Sequence, residues 1–386
     1  MTEEPGEGGA LRRPQDHRLN VLMVTPRYLP EIGGVERHVH EVATRMARSS
    51  EASVTVLTTV RDGSGASADR DGEVEIRRVV AHPRGRDWMF APEIATVIAE
   101  GGWDVVHVQS YHTFVAPIAM AAAARRRIPY LLTFHGGGHS QPMRNRARRA
   151  QRALLRPLLT RAATLVALAP FEIETYSAEL RIPAQRFALI PNGVDLPPPA
   201  WALGGRAPAA HPLIASVGRL ERYKGHHRVI AAFAHVLDAE PGARLWVAGA
   251  GPYEAELRRL AADLGIAAAV EISAVSADDR AEMARRLSEV DLVVLLSDYE
   301  THPIAALEAI SLGRPLLVAS GSGLGELAQR GLARAIEVDM PPQAVAEAIL
   351  RELRDPLVRA PFSLPTWDEC AAALLERYRR AAGGRR

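Results

Sequence analysis

Residues 292–308 read LVVLLSDYETHPIAALE. Five apolar residues in a row have the length of a buried strand, and Pro303 suits the first turn of a helix just beyond a short polar loop. Strand, loop and helix in that order are the repeating piece of a doubly wound α/β sheet. Ligands bind such sheets beyond the carboxyl ends of the strands, so Glu300 falls in the loop at the strand end. Glu308 then follows about a turn and a half inside the helix. One carboxylate is expected at the mouth of a crevice and the other at its floor.

The alternation extends along most of the chain. Upstream, LNVLMVT, SVTVLTT, VEIRRVV, DVVHVQS, PYLLTFH, ATLVALA and FALI have strand length. After the first of them, Val35, Val39, Val42, Ala43 and Met46 recur at helical spacing, with Gly33-Gly34 in the intervening loop. The proline- and glycine-rich stretch at 191–212, PNGVDLPPPAWALGGRAPAAHP, interrupts either periodicity. Beyond it the pattern restarts with LIASVG, ARLWVAG, VEIS, PLLVAS and ARAIEV. The reading is two Rossmann-like doubly wound parallel-sheet domains, 18–196 and 213–365, joined by a linker at 197–212 and facing each other across a cleft. Residues 1–17 lack the apolar core of a signal peptide and are expected to be a disordered tail. The final helix, 366–386, belongs to neither sheet by pattern and is expected to cross back to the N-terminal domain.

A chain of 386 residues accommodates two such domains, and 47% hydrophobic with 24% charged residues is a globular composition. A net charge of +2 argues against a whole-chain polyanion binder. Cys370 is the sole cysteine, which excludes an intramolecular disulfide and a Cys/His zinc cluster and suits a reducing cytoplasm. The weakly polar run at 113–124, TFVAPIAMAAAA, is shorter than the roughly 18 to 20 residues that span a bilayer.

Of the 47 Lys and Arg residues only Lys224 is lysine, and it lies in GRLERYKGHH at 218–227, just after an apolar run. Gly218, Arg219 and Lys224-Gly225 follow LIASV, and Gly249, Gly251 and Pro252 follow LWVA. Together with Glu300 and Glu308 these strand ends supply fixed positive charge, glycines that allow close backbone approach, and two carboxylates. A helix carboxylate accepts the vicinal hydroxyls of a ribose, while a helix N-terminus with a pair of cations suits a diphosphate. These are the parts of a nucleotide-sugar site.

Glu300 to Glu308 as E-x7-E, GRLxxxKG at 218–225, GAGP at 249–252, PNGVD at 191–195 and GGVERHV at 33–39 together resemble the GT-B retaining glycosyltransferases of family GT4. The resemblance spans the chain from about residue 18. It implies that Arg219 and Lys224 hold the donor diphosphate, that Glu308 takes the ribose hydroxyls, and that Glu300 meets the transferred sugar. It further implies donor contacts at Gly33, Gly34, Gly251, Thr301, His302, Pro303 and Ile304, and a place for His135 beside the reacting centre. The N-terminal domain becomes the acceptor side. No metal and no cofactor are expected, with the nucleotide-diphosphate-sugar as co-substrate and front-face attack assisted by the leaving diphosphate. Two departures stand out: Thr301-His302-Pro303 replaces the usual glycine-rich turn, and ISAVS at 272–276 lacks the glycine common near the base.

Plainer readings exist for each residue. Lys224 could be a surface lysine, Glu308 an exposed helix carboxylate, and His135 a structural histidine beside a backbone carbonyl; His107 and His112 are weaker candidates still. Asp69-Arg70-Asp71 is read as a solvated surface turn rather than a metal site. Ten arginines between Arg125 and Arg161, with no acidic residue between Asp104 and Glu172, suggest a solvated helix face or peripheral contact with an anionic membrane. Nucleic acid is disfavoured because no aromatic residues interleave. A soluble small-molecule acceptor, such as an aminocyclitol, is expected over a lipid or polysaccharide, because no long apolar surface segment stands out. Rivals on the same architecture are a nucleotide-sugar epimerase, a sugar phosphorylase and a non-catalytic binding subunit.

Overall fold

The computed structural model describes residues 18–31, 33–60, 65–83, 89–136, 142–196, 211–276 and 279–384, with the side chains of 142–149 left aside. The expected tail at 1–17 and nearly all of the expected linker, 197–210, lie outside the described residues.

The first sheet holds eight strands: β1 (Leu19–Val24), β2 (Ala52–Val60), β3 (Ser67–Asp71), β4 (Val74–Val80), β5 (Val105–Gln109), β6 (Tyr130–Thr133), β7 (Thr164–Ala167) and β8 (Phe187–Leu189). Their spatial order is β3-β4-β2-β1-β5-β6-β7-β8, parallel throughout except for β3. The second sheet is wholly parallel, in the order β11-β10-β9-β12-β13-β14. Its strands are β9 (Leu213–Val217), β10 (Arg244–Ala248), β11 (Val270–Ser273), β12 (Leu292–Leu295), β13 (Leu316–Ala319) and β14 (Arg334–Ile336).

Helices α1 (Gly34–Arg48), α2 (Glu93–Glu100), α3 (Val115–Arg125), α4 (Pro142–Leu159) and α5 (Pro170–Leu180) serve the first sheet. Helices α6 (His226–Ala239), α7 (Glu254–Asp263), α8 (Arg280–Ser288), α9 (Ile304–Ser311), α10 (Ser322–Gln329) and α11 (Pro342–Arg354) serve the second, and α12 (Trp367–Gly383) ends the chain. Side chains alternate across each strand, so both faces need an apolar cover. Val21 and Met23 of β1 pack with Val39, Val42 and Met46 of α1, while Leu22 and Val24 face Ile94, Met120 and Leu132. In the second sheet Ala215 and Val293 meet Leu307 and Ile310 of α9, and Ile214 and Val294 meet Phe233 and Ile349.

One expectation fails. Asp69-Arg70-Asp71 is not a turn but the heart of β3, an exposed edge strand paired antiparallel to β4. A strand with both faces in water leaves no apolar run to read; backbone pairing makes it, helped by the Arg78–Asp69 ion pair at 2.5 Å. The turn lies at Gly72-Glu73 instead.

Helix α12 crosses back to the first sheet. Thr366 and Glu369 close a capping box at its start, and Trp367, Cys370, Leu374 and Tyr378 join the core beneath α1. Where it returns it meets the outgoing connection: Val194 donates its N–H to Pro365 O at 3.0 Å. Gly193 lies so close that a Cβ there would stand 2.1 Å from Trp367 N and 2.3 Å from Thr366 C. Gly193→Ala is therefore expected to lower unfolding free energy by about 1–3 kcal/mol, since backbone on both sides must move. Gly34→Ala, where a Cβ meets nothing within 4 Å, serves as the neutral comparison. Urea titration of both variants checks this; equal midpoints would remove the steric account.

Candidate active site

The carboxyl edges of the two sheets enclose a cavity of 1260 Å³. From the second sheet, the loops after β9 and β12 are tied together where Asp298 N–H donates to Tyr223 O at 2.8 Å. That lock brings Lys224 Nζ to 2.5 Å from Glu300 Oε1, which also accepts from Ser297 Oγ at 2.9 Å. Only 17% and 16% of the two side chains are exposed. Burial alone lowers the lysine pKa, but the Glu300 charge outweighs it and holds Lys224 protonated, above its ordinary value. Arg219 lines the same wall with its guanidinium 3.3 Å from Glu221.

Helix α9 begins at Ile304 with Pro303 at the capping position, one residue outside the helix. Glu308 on it is 5% exposed and paired with Arg280 of α8. Burial raises its pKa; the Arg280 charge and hydrogen bond oppose that shift. Nothing in the sequence connects Arg280 with Glu308. Thr301 and His302 lie in the loop between the two carboxylates, and Thr301, His302, Pro303 and Ile304 all line the cavity. Burial takes the His302 pKa down to about 4, so its ring is neutral at ordinary pH.

From the first sheet, Gly33 and Gly34 lead into α1 and line the cavity opposite Arg219. The Glu36 carboxylate folds back over them, 2.3 Å from where a Gly33 Cβ would sit, and burial raises its pKa. His135 follows β6 in a left-handed conformation at φ 54, with Nε2 2.6 Å from Gln109 Oε1. Gly136 comes next at φ 57, against the second sheet: a Cβ there would stand 1.6 Å from Thr301 Oγ1. Glu172, fully buried, fixes this corner by accepting the N–H groups of Gly136 at 2.9 Å and Leu168 at 2.8 Å.

Of the twelve residues to which the resemblance gives a donor or reacting-centre role, eleven border one cavity. Gly251 does not: a Cβ there would meet Leu220 O at 2.5 Å, so the glycine serves the packing of the two loops behind the wall. His107 is buried inside the sheet, and His112 borders the cavity beside Gly136 O. In the arginine-rich stretch, Arg152 bonds Tyr111 Oη at 3.0 Å and pairs with Glu179, while Arg156 bonds Leu180 O at 2.6 Å; both tie α4 to its neighbours. Arg144, Arg146, Arg148 and Arg149 lie outside the described side chains. No helix among the described residues is long and apolar enough to cross a membrane.

Residues 32–197 match the family described as Glycosyltransferase Family 4, and residues 205–363 match Glycosyl transferases group 1. A glycogen synthase of Mycobacterium tuberculosis is 28% identical over 95% of this chain and 96% of its own length. A GDP-mannose-dependent phosphatidylinositol dimannoside mannosyltransferase of the same organism is 32% identical over 50% of this chain and 52% of its own. Among solved structures, sucrose-phosphate synthase from Thermosynechococcus elongatus superposes with a TM-score of 0.69 at 20% identity, over 95% of this chain and 94% of that one. The order of motifs, the two facing parallel sheets and these matches agree. The chain belongs to the GT4-like glycosyltransferases of GT-B fold.

Proposed function

We propose that this glycosyltransferase moves a sugar from a nucleotide-diphosphate-sugar to an acceptor hydroxyl with retention of configuration. The donor lies on the second sheet and the acceptor enters from the first. The supporting observation is the convergence of two cations, Arg219 and Lys224, and two carboxylates, Glu300 and Glu308, on one cavity. The mannosyltransferase relative named for GDP-mannose supports a nucleotide-sugar donor.

In this reading the diphosphate sits at the end of β9, where Lys224 and Arg219 meet its charge without a divalent ion. Glu308, whose charge Arg280 supports against burial, accepts the ribose hydroxyls. Glu300 holds Lys224 in place before the donor arrives and faces the transferred sugar afterwards. The leaving diphosphate takes the acceptor proton, so the protein contributes position and charge stabilisation rather than a covalent nucleophile.

The acceptor side carries a second observation. Leu155, Leu158 and Met89 line the cavity there, and Phe114 and Leu154 at its mouth are 46% and 80% exposed. This apolar wall is assembled from separate elements, which is why no single segment betrayed it. It favours an acceptor with an apolar portion over a wholly polar aminocyclitol, in keeping with the relative named for a phosphatidylinositol dimannoside.

Three measurements test these statements. Lys224→Arg should lower kcat/KM at least tenfold, about 1.4 kcal/mol of lost transition-state stabilisation, with an unchanged melting curve and with wild-type turnover indifferent to EDTA. Near-equal rates would remove the diphosphate from this corner. Glu308 must be ionised to accept two hydroxyls, and its raised pKa means that protons take that charge away at a higher pH than for an ordinary glutamate. Donor affinity by calorimetry should therefore fall as the solution is acidified from neutrality, and Glu308→Gln should bind weakly at every pH without that acidic limb. An unaltered limb in the variant would move the ribose elsewhere. For any sugar that serves as acceptor, the octyl glycoside should show a KM at least about tenfold below that of the methyl glycoside, since even part of an eight-carbon chain buried at about 0.8 kcal/mol per CH₂ suffices; equal values would return the acceptor to the polar class.

A further inference from the structure

A buried chain of hydrogen bonds reaches His135 from α12, along the face of the first sheet that α1 and α12 cover. Tyr378 of α12 places its hydroxyl 2.6 Å from His107 Nδ1, and Gln109 places Nε2 3.1 Å from the same nitrogen. His107 Nε2 lies 2.8 Å from Thr133 Oγ1, and Gln109 Oε1 lies 2.6 Å from His135 Nε2. Tyr378, His107, Gln109 and Thr133 are all fully buried.

The chain has a polarity. Burial takes the His107 pKa down to about 3, so this ring is neutral and carries one proton. Among the described residues the Tyr378 hydroxyl has no acceptor other than His107 Nδ1, so it donates there and that nitrogen is bare. The His107 proton is then on Nε2 and goes to Thr133 Oγ1. A bare Nδ1 faces the NH₂ end of Gln109 rather than its oxygen, which would set lone pair against lone pair; the amide shares the nitrogen as the longer contact, at 3.1 Å. The Gln109 oxygen is thereby turned to His135, where it only accepts, so the His135 proton is on Nε2 and its Nδ1 is bare. With the amide reversed, every bond in the chain would reverse with it.

We propose that Gln109 is a positioning residue for His135. It holds the ring in the Nε2–H form, so that Nδ1 offers a lone pair to a sugar hydroxyl in the cleft. The sugar rests on the function proposed above; the tautomer does not. His135 is half-buried beside His38, whose ring centroid is 4.8 Å away, and desolvation holds its pKa well below the ordinary value. The groups facing it, His38, His107 and His112, push the same way. His135 is thus a fixed neutral partner of a hydroxyl and not a general acid or base, and the direction of its proton is set from α12, more than 240 residues away in sequence.

The test reads ring ¹⁵N shifts of histidine-labelled full-length protein, with the His135 signals identified by their loss in His135→Asn. The expected wild-type spectrum at pH 7 has a protonated Nε2 and a bare Nδ1 for His135; a predominant Nδ1–H form overturns the proposal. Gln109→Met nearly keeps the volume and removes both hydrogen bonds. It should give a mixture of tautomers, with kcat lowered about tenfold and the donor KM unchanged. Tyr378→Phe removes the group that sets the polarity without touching the cleft, and should shift the His135 tautomer ratio in the same direction by a smaller amount; it carries the test if Gln109→Met folds poorly. Unchanged His135 shifts in the folded variants overturn the proposal, as does a lowered kcat with the tautomer intact. If the protein transfers no sugar, the spectra still decide the tautomer, so the two proposals fail separately.

Discussion

A buried side-chain amide joins the two sheets. Asn192, 3% exposed at the end of the first domain, accepts from His38 Nδ1 at 2.9 Å and donates its Nδ2 to His302 O at 3.0 Å. The His302 carbonyl can only accept, so the amide has one orientation, and the His38 proton is on Nδ1. The loop that carries Thr301 and His302 between the two cleft carboxylates is thus anchored to α1 of the opposite sheet. Where both partners are buried, losing either leaves a polar group without water or protein to bond. This is the physical use of the PNGVD motif: its Asn bridges the sheets and its Gly lets the outgoing chain pass under the start of α12.

The same crossing gathers charge. Arg45 of α1 pairs with Glu41, Asp195 and Asp368, linking α1 to the outgoing connection and to the first turn of α12. Two turns earlier on α1, Arg37 is paired with Glu41 and lies close enough to Arg280 and Glu308 for their charges to act on it. Burial and Arg280 push its pKa down, while Glu41 and Glu308 support its charge. Buried ion pairs repay their desolvation only when each charge is well met. The carboxylate assigned to the ribose therefore faces one arginine from its own sheet and a second from across the cleft, and its ionisation depends on how the two sheets are set against each other.

The sheets were legible because parallel strands covered on both faces are written as continuous apolar runs, as in LVVLLS or VVHV, and the helices between them as 3.6-residue stripes. Strand β3 was not, since nothing in SADRD is buried and only the neighbouring backbone makes it a strand. In the site, residues that follow a strand in the same loop, such as Arg219, Lys224 and Glu300, could be found by position alone. Arg280 and Gln109 could not, and Asn192, though inside the PNGVD motif, gave no sign of what it bonds. Each acts on a residue far away in sequence: Arg280 on Glu308, Gln109 on His135, Asn192 on His38 and His302. A single sequence carries no trace of pairings that the fold alone creates. Gly251 shows the converse, for a motif glycine at a strand end is demanded equally by a ligand and by the backbone of a neighbouring loop.

The single lysine in an arginine-rich chain finds its reason in the pair it makes before any ligand arrives. Lys224 Nζ meets one oxygen of Glu300, and that oxygen is also held by Ser297. A compact ammonium with three rotatable donors satisfies such a one-point contact and keeps two protons for another acceptor in the cleft. A guanidinium at the same place would engage both carboxylate oxygens through its planar fork, which matches a carboxylate as well as it matches a phosphate. Glu300 would then be committed to the arginine, and the loop from Ser297 to Pro303 would be fixed around that pair rather than around a donor. Arg219 has no such constraint, because its partner Glu221 is on its own loop at 3.3 Å. The two cations of the site therefore differ for one reason: the first stands beside a carboxylate that the proposed reaction also uses, and the second does not.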